Sequence, residues 1–339
     1  MTPIYRQPID HPSAWTSKSI GGKEGLVIRL GAAELDAIDG LLAKTRRLAP
    51  QQVTRQDFDH PVLNAFLAKI YQELTQGRGT LIIAGLTPER YSEEDFERIY
   101  WGFGTHWGQA VMQNKFGDRL GHVRKEKDNP TNRGYIGDQE LTPHSDPFPL
   151  IGLMCVSRAE IGGESRLVSG IAIHNEILRT RPDLLEPLYR GHVYSAPDSK
   201  GLSSPVTDYA IPVYSTVGNV VSNMLNRNSM DRAAAHLGSP LPADFAEALD
   251  YVRDLAVNDD FRLKVTLEPG EMVLINNFTA FHARAQFQDS ERNKRHLLRL
   301  WLKAPEARPV VPELLRYGST YERLYEENRE TRSPAPATA

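Results

Sequence analysis

His144 and Asp146 are separated by a single residue, and His282 follows them far along the chain. Imidazole nitrogens and carboxylate oxygens are common ligands of divalent transition metals. Two histidines and one carboxylate on the same side of an ion leave its other side open to further reactants. This ligand set is typical of non-haem Fe(II) sites. His144, Asp146 and His282 therefore form a candidate iron centre.

The His-x-acid pair is weak support by itself, because ten histidines and 43 acidic residues make such a pair expected by chance. A second pair indeed occurs at His174 and Glu176. Secondary structure distinguishes the two. Pro143 and the apolar run at 150–156 predict extended backbone around the first pair, where residues two apart share a side. His174 and Glu176 lie in a helical pattern, where they diverge by about 200°, so we expect them to be structural.

Arg295 and Arg299 are four residues apart on the strand predicted after His282, and therefore on one face of it. Buried cations are costly unless they meet anions. A dicarboxylate cosubstrate would supply these anions, and the guanidinium fork suits carboxylates. The alternative is that both arginines form salt bridges with acidic residues of the protein. A single histidine at the end of an apolar strand is normally a core residue. The two arginines on the following strand favour a ligand role for His282.

Composition limits the class of protein. The chain has 339 residues, 40% of them hydrophobic, which suffices for one large core or two smaller ones. A net charge of −3 gives no basic excess for nucleic acid. Cys155 is the only cysteine, so an internal disulfide is excluded and a reducing compartment is favoured. No signal segment or membrane span is visible. We expect a cytoplasmic protein with no nucleic-acid or membrane partner, whose self-association into a homo-oligomer stays open.

The periodicity of apolar residues predicts helices and strands in alternation, with strands dominating the second half. Residues 113–143 are polar and predict a long loop leading to the first pair of ligands. Helices are predicted at 32–47, 63–74, from 92, at 171–181, from 183 and at 244–255. Strands are predicted at 79–86, 150–157, 261–267, 272–276, 282–287 (as a continuation of the preceding strand) and 295–303.

These elements predict an α+β fold with a mostly β core, a double-stranded β-helix (jelly roll) buttressed by helices. We expect a single catalytic domain over 1–339, with its core at about 79–303. Residues 1–22 should form an extended arm, and residues 332–339 a disordered tail.

Four segments carry a family resemblance: HSD at 144–146, GLMCVSRAEIGGES at 152–165, NNFTAFHARAQF at 276–287 and RHLLRLWL at 295–302. In this order they are specific. From about Gly79 to Lys303 the chain resembles the taurine dioxygenase-like (TauD/TfdA-type, clavaminate synthase-like) dioxygenases, which depend on Fe(II) and 2-oxoglutarate.

The resemblance implies roles for particular residues. His144, Asp146 and His282 would bind iron, and Arg295 would pair with the far carboxylate of 2-oxoglutarate. Arg299 would hold the cosubstrate or an anionic group of the substrate. Three further implications concern the reaction. Ser165 replaces a threonine that usually assists the cosubstrate. Fe(II), 2-oxoglutarate and O₂ would oxidise a C–H bond, most simply to an alcohol, with release of succinate and CO₂. Desaturation or ring closure are other outcomes, and the retained aspartate argues against halogenation.

The substrate is expected to be a small polar or anionic metabolite. Candidate contacts are Gln113, Asn114, Asp138, Phe148, Asn223 and Arg227, although polar loop residues usually hydrogen-bond locally. Arg284, two residues beyond His282, either faces the same side or lies on the surface. Two other functions fit the residues: a zinc-dependent hydrolase with the same ligands, and a non-enzymatic jelly-roll binding protein.

Overall fold

Strands of two main sheets make up the centre of the protein, seen in a computed structural model that describes residues 2–114, 116–125, 136–195, 206–327 and 329. In chain order the strands are β1 (Val27–Arg29), β2 (Thr80–Ala84), β3 (Gln109–Ala110), β4 (Leu120–Arg124), β5 (Leu141–His144), β6 (Leu150–Ser157), β7 (Ile161–Gly162), β8 (Ser165–Ser169), β9 (Tyr214–Val217), β10 (Val220–Asn223), β11 (Leu263–Val265), β12 (Met272–Asn276), β13 (Ala280–Arg284), β14 (Phe287–Gln288) and β15 (His296–Lys303).

Among the described residues the larger sheet has seven strands, in the order β1-β2-β12-β6-β15-β3, with β4 also paired to β15. The smaller sheet has four strands, in the order β11-β8-β13-β5. Short two-stranded pairs, β9 with β10 and β7 with β14, complete the β structure described. Two sheets with neighbours distant in sequence match the jelly-roll architecture predicted above.

Helices surround this core. They are α1 (Ala32–Thr45), α2 (Pro61–Gln76), α3 (Glu93–Trp107), α4 (Gly170–Thr180), α5 (Leu185–Arg190), α6 (Arg227–Leu237), α7 (Ala243–Val257) and α8 (Pro312–Glu327). α3 begins after Ser92 because the Ser92 hydroxyl accepts a hydrogen bond from the amide of Asp95, whose carboxylate accepts one from the Ser92 amide.

Strand β15 separates two apolar layers. Leu298, Leu300 and Leu302 pack in one core with α1, α2 and α3 on the outer face of the larger sheet. Leu297 and Trp301 alternate with them and belong to the other core, which extends to the smaller sheet and to α4 and α7. Alternation with a period of two thus assigns each side chain of β15 to one layer.

Two predicted features are wrong. The segment 113–143 contains β4 and β5, which are too short for their alternation to be recognised in a polar context. Residues 282–287 do not continue the strand at 272–276, because β12 lies in the larger sheet and β13 in the smaller one. The chain crosses between the sheets at a tight turn, where Thr279 donates to the Asn276 carbonyl through both its amide and its hydroxyl.

The first residues pack on the body of the protein. The Tyr5 amide donates to the Tyr189 hydroxyl, the Ile9 amide donates to Asn175, and Trp15 is buried. The predicted disordered tail at 332–339 lies outside the described residues. In the part of the chain that the structure describes, no helix is both long and apolar enough to span a bilayer.

Candidate metal centre and its surroundings

The pairing of β5 with β13 places His144 directly opposite His282. Their ring centroids are 4.3 Å apart. Asp146 follows β5, with its Oδ1 3.9 Å from His144 Nε2 and its Oδ2 3.6 Å from His282 Nε2. The three side chains each offer a ligand atom within 4.8 Å of the others. Strand register therefore brings together the three residues that the sequence suggested.

Hydrogen bonds fix the chain where it leaves β5. The Ser145 amide donates to the Leu225 carbonyl at 2.6 Å, and the Asp146 amide donates to Asn277 Oδ1 at 3.2 Å. The Asn277 amide group in turn donates to the Phe148 carbonyl at 2.7 Å. Because both sides of the turn are held, Asp146 is directed at the two histidines rather than at solvent.

The protonation state of His144 suits metal binding. Its Nδ1 lies 2.8 Å from the Thr142 carbonyl, which can only accept, so Nδ1 carries the proton and Nε2 keeps its lone pair. Burial and, to a smaller extent, neighbouring His282 lower the pKa of His144 to about 4, and Asp146 partly offsets this effect. The imidazole is thus neutral at neutral pH, as a metal ligand must be.

Trp301 holds the carboxylate of Asp146. Its indole N–H donates to Oδ2 at 2.7 Å. Burial alone would raise the pKa of Asp146, but contact with His282 and the positive charge of Arg299 hold it below the usual range. The carboxylate is therefore ionised, and Oδ1 is directed away from the indole and available to an ion.

The site opens to solvent beside His144. The His144 side chain is 23% exposed, whereas those of Asp146 and His282 are 12% and 9% exposed. Nδ1 of His282 is buried without a hydrogen-bond partner among the described residues, so strand pairing orients this ring. Two imidazole nitrogens and one carboxylate oxygen fit a divalent transition metal with an open side.

The inward face of β15 lines the space next to the three ligands. Arg299 lies between Leu297 and Trp301 on this face, and its guanidinium carbon is 4.3 Å from the Trp301 ring centroid. Gln113 holds the arginine from both ends: Oε1 accepts from Arg299 Nε at 2.6 Å, and Nε2 donates to the Arg299 carbonyl at 2.7 Å. Gln113 is buried and acts here on the arginine.

A second buried arginine, Arg295, lies immediately before β15. The guanidinium of Arg295 is 5.3 Å from the Phe287 ring centroid, and that of Arg284 is 5.0 Å from it. Nη1 of Arg295 has no hydrogen-bond partner among the described residues. Burial, together with the positive charge of Arg284, lowers the pKa of Arg295 to about 10. Two buried cations side by side create a demand for an anion.

A small cavity leads to Arg295. Ser165, Cys155 and Gly163 line it together with that arginine. Gly163 has a φ of +77°, and a Cβ there would lie 3.0 Å from Arg295 Cδ. A glycine at this position therefore leaves space beside the guanidinium that any other residue would fill.

Arg284 is buried, so it is not the surface residue that the sequence left as an alternative. It lies two residues beyond His282 on β13, and hence on the same face. Nη2 of Arg284 donates to the carbonyls of Gly137 and Gln139 at 2.9 and 2.5 Å. The arginine thereby fastens the segment before β5 to the rim of the core.

The remaining candidate substrate contacts have local partners. Asn114 closes a turn by accepting from the amides of Phe116 and Asp118. Asn223 is buried and donates to the Asn277 carbonyl at 2.9 Å. Substrate contact through either asparagine stays a prediction.

The last three candidates lie in different surroundings. Asp138 pairs with Lys125 at 2.6 Å, and Arg227 pairs with Asp231 at 2.8 Å. Phe148 packs against Trp301, with ring centroids 5.6 Å apart. Among the residues that the structure describes, Phe148 is the only one of the three whose contacts lead to a candidate metal ligand. It packs against Trp301, which donates a hydrogen bond to Asp146. A role in substrate binding stays a prediction for all three.

Sequence reasoning missed Trp301 and Asn277, which hold Asp146 from opposite sides. Trp301 is two residues beyond Arg299, so the alternation of the strand was a usable signal. Asn277 lies in a turn between two apolar strands, and only the fold shows what it contacts. His174 has the structural role expected of it, with Nε2 3.1 Å from the Tyr189 hydroxyl, while Glu176 pairs with Arg179.

Comparisons with known proteins agree with this geometry. The family described as "Taurine catabolism dioxygenase TauD, TfdA family" matches residues 44–301. The chain is 28% identical over 333 residues to FR-33289 synthase of Streptomyces rubellomurinus, covering 93% of this chain and 96% of that one. It is also 28% identical over 308 residues to a taurine hydroxylase-like protein, SAT17, of Stachybotrys chartarum, covering 85% and 77% of the two chains.

A solved structure shares the fold. It is an asparagine oxygenase in complex with Fe(II), 3-hydroxyasparagine and succinate, with a TM-score of 0.66 and 16% identity, covering 82% of this chain and 93% of that one. The fold and the site define a class of oxygenase built on a jelly roll. The chain belongs to the TauD/TfdA family. It is an Fe(II)- and 2-oxoglutarate-dependent dioxygenase. The two alternatives, a zinc-dependent hydrolase and a non-enzymatic binding protein, do not match this family.

Proposed function

We propose that His144 Nε2, Asp146 Oδ1 and His282 Nε2 bind the Fe(II) of this dioxygenase. The convergence of these donors within 4.8 Å of one another is the observation that supports the proposal. Their protonation states also suit the ion, since the imidazole of His144 is neutral and Asp146 is ionised. Three protein ligands would leave the other side of the ion open to the reactants.

The far carboxylate of 2-oxoglutarate is proposed to bind Arg295, with the hydroxyl of Ser165 as a second donor. Both residues line the same small cavity, and the buried guanidinium meets no carboxylate among the described side chains. A bidentate arginine–carboxylate pair would satisfy the charge. Arg284 adds positive potential through its position over the same Phe287 ring.

The substrate is proposed to be a small metabolite with an anionic group, hydroxylated at an unactivated C–H bond. Arg299 lies near Asp146, on the inward face of β15, and is positioned by Gln113. The relatives support an anionic substrate by name, since taurine carries a sulfonate and asparagine a carboxylate. Arg299 would bind such a group.

Fe(II) with 2-oxoglutarate supplies the activation of O₂ that oxidises the C–H bond and releases succinate and CO₂. The residues of the protein orient the groups that react and exclude water from the site. Trp301 keeps Asp146 oriented through its indole N–H, and the exposed side of His144 leaves an entrance for substrate. Burial of the other two ligands excludes water from the opposite side, which strengthens each electrostatic contact there.

The test is succinate formation from 2-oxoglutarate in the presence of Fe(II) and O₂, first without substrate and then with a panel of amino acids, sulfonates and phosphonates. The wild-type protein should form succinate, and a hydroxylated product should gain one oxygen atom by mass. His144→Ala should lose both signals and the visible charge-transfer band that appears when 2-oxoglutarate is added to the Fe(II) protein without O₂.

His236→Ala is the matched control, because His236 is exposed on α6 and away from the proposed ligands. It should behave as the wild type does. Full activity of His144→Ala, or Fe(II) binding by that variant with unchanged affinity, would show that the three residues are not the iron ligands.

A further inference from the structure

Four metal-ligating side chains meet on the outer face of the larger sheet, where α3 begins. His296 starts β15, His122 lies on the neighbouring strand β4 opposite Leu298, and Glu93 and Glu97 lie on the first turns of α3. His296 Nδ1 is 3.2 Å from a Glu93 carboxylate oxygen, and His296 Nε2 is 2.9 Å from His122 Nδ1. His122 Nε2 is 4.0 Å from Glu97 Oε1. The four side chains form a chain of neighbouring donors.

This cluster is separate from the candidate iron centre. Residues on β15 alternate between faces, and Arg299 and Trp301 point inward toward Asp146. His296 contacts Glu93 of α3, which lies over the outer face. The cluster therefore has the thickness of the larger sheet between itself and the iron ligands.

An ordinary structural role accounts for the acids, since glutamates in a first helical turn are stabilised by the helix dipole. The two stacked imidazoles, with centroids 5.1 Å apart, place further nitrogen ligands beside them. Glu93, His122 and His296 each offer one ligand atom within 4.8 Å of the others, the same limit that His144, Asp146 and His282 meet.

One separation matches the spacing of ligand atoms around an ion. Zinc binds imidazole nitrogen at 2.0–2.1 Å, so tetrahedral ligand atoms lie roughly 3.3–3.5 Å apart. His296 Nδ1 and the Glu93 carboxylate oxygen, 3.2 Å apart, are close to this value.

The surrounding charges also favour a cation. Carboxylates of Glu93, Glu94 and Glu97 outnumber the nearby cations Arg98 and Arg124. Imidazole and carboxylate together suit Zn²⁺ better than Mg²⁺ or Ca²⁺, which prefer oxygen ligands.

We propose that Glu93, His122 and His296 form a second divalent metal site that binds Zn²⁺. The ion would join α3 to β4 and β15. Because the other face of β15 presents Arg299 and Trp301 to the candidate iron site, the zinc site would be structural and would stabilise the strand that positions them.

The experiment is equilibrium dialysis of the metal-free full-length protein against excess Zn²⁺, then against metal-free buffer, followed by metal analysis. Zinc also fits the iron ligands, so the wild type should retain two ions per chain. Asp146→Ala should retain one, His122→Asn should retain one, and the double variant none. Circular dichroism checks that each variant is folded.

Glu93→Gln provides a second test, since this carboxylate is largely exposed and its replacement leaves the core unchanged. We expect it to weaken Zn²⁺ binding at least tenfold in the Asp146→Ala background. His236→Asn is the control that removes an exposed histidine elsewhere and should retain two ions. Retention by His122→Asn of as many ions as the wild type, or an unchanged Zn²⁺ affinity of Glu93→Gln in the Asp146→Ala background, would overturn the proposal.

Discussion

Replacement of Trp301 by phenylalanine tests whether the indole N–H prepares Asp146 for iron. The hydrogen bond to Oδ2 is 2.7 Å long and is made to an ionised, buried carboxylate. Hydrogen bonds to charged groups contribute about 1.5–3 kcal/mol. At about 1.4 kcal/mol per factor of ten, the loss corresponds to roughly 10- to 100-fold weaker Fe(II) binding.

The measurement is an anaerobic Fe(II) titration in the presence of 2-oxoglutarate, followed by visible absorption. Trp301→Phe also removes packing, because the indole is fully buried against Phe148 and Tyr321. Trp107→Phe is the matched control. Trp107 is likewise buried, and its indole N–H donates to the neutral Leu67 carbonyl at 3.1 Å, far from the proposed ligands.

Both variants should lose stability in urea unfolding, while only Trp301→Phe should lose iron affinity. Equal Fe(II) dissociation constants for the two folded variants would refute the role given to the indole. A loss of affinity in Trp107→Phe as large as in Trp301→Phe would show that packing alone is responsible.

Three further predictions concern separate parts of the protein. Burial lowers the pKa of His174 to about 4 from 6.5, so between these values the unfolded chain binds more protons and stability falls as pH falls. In the wild type, His174 should contribute about 2 kcal/mol to the fall in unfolding free energy between pH 7 and about pH 4.5. In His174→Gln this contribution should be absent when unfolding by urea is measured at the two pH values. Arg295→Lys should raise the KM for 2-oxoglutarate roughly 10- to 100-fold in the succinate assay, because the guanidinium fork is lost; an unchanged KM would move the carboxylate site elsewhere. Gly79→Ala should destabilise more than Gly218→Ala, since both have a positive φ but only at Gly79 would the Cβ meet Thr279, 2.2 Å away. Equal urea midpoints for the two alanine variants would contradict that steric reason.

Candidate ligands could be chosen from the sequence because a period of two on a strand is a strong constraint. His144 and Asp146 could be placed on one side from Pro143 and the apolar run that follows. The approach of His282 could not be derived from spacing, because it depends on the pairing of β5 with β13 across more than a hundred residues. The resemblance supplied what local patterns cannot, namely which distant strand is the neighbour.

The surroundings of the site were harder to predict. Gln113 was a candidate substrate contact and is found holding Arg299, because its side chain reaches both the guanidinium and the strand carbonyl. Long polar side chains can satisfy partners in several directions, and only the fold selects among them. The short strand β4 was missed for a related reason: its five residues include a glycine and a histidine, so apolar alternation is brief.

The proposed iron ligands and the proposed cosubstrate arginine come from different sheets. His144 and His282 lie on strands of the smaller sheet, whereas Arg295 immediately precedes β15 of the larger one. Under this proposal the spacing between the two sheets would set the length of the 2-oxo diacid, because its two ends would have to reach both sheets. A diacid one carbon shorter or longer would then bind less well, and the selectivity for chain length would follow from the architecture and not from any single contact.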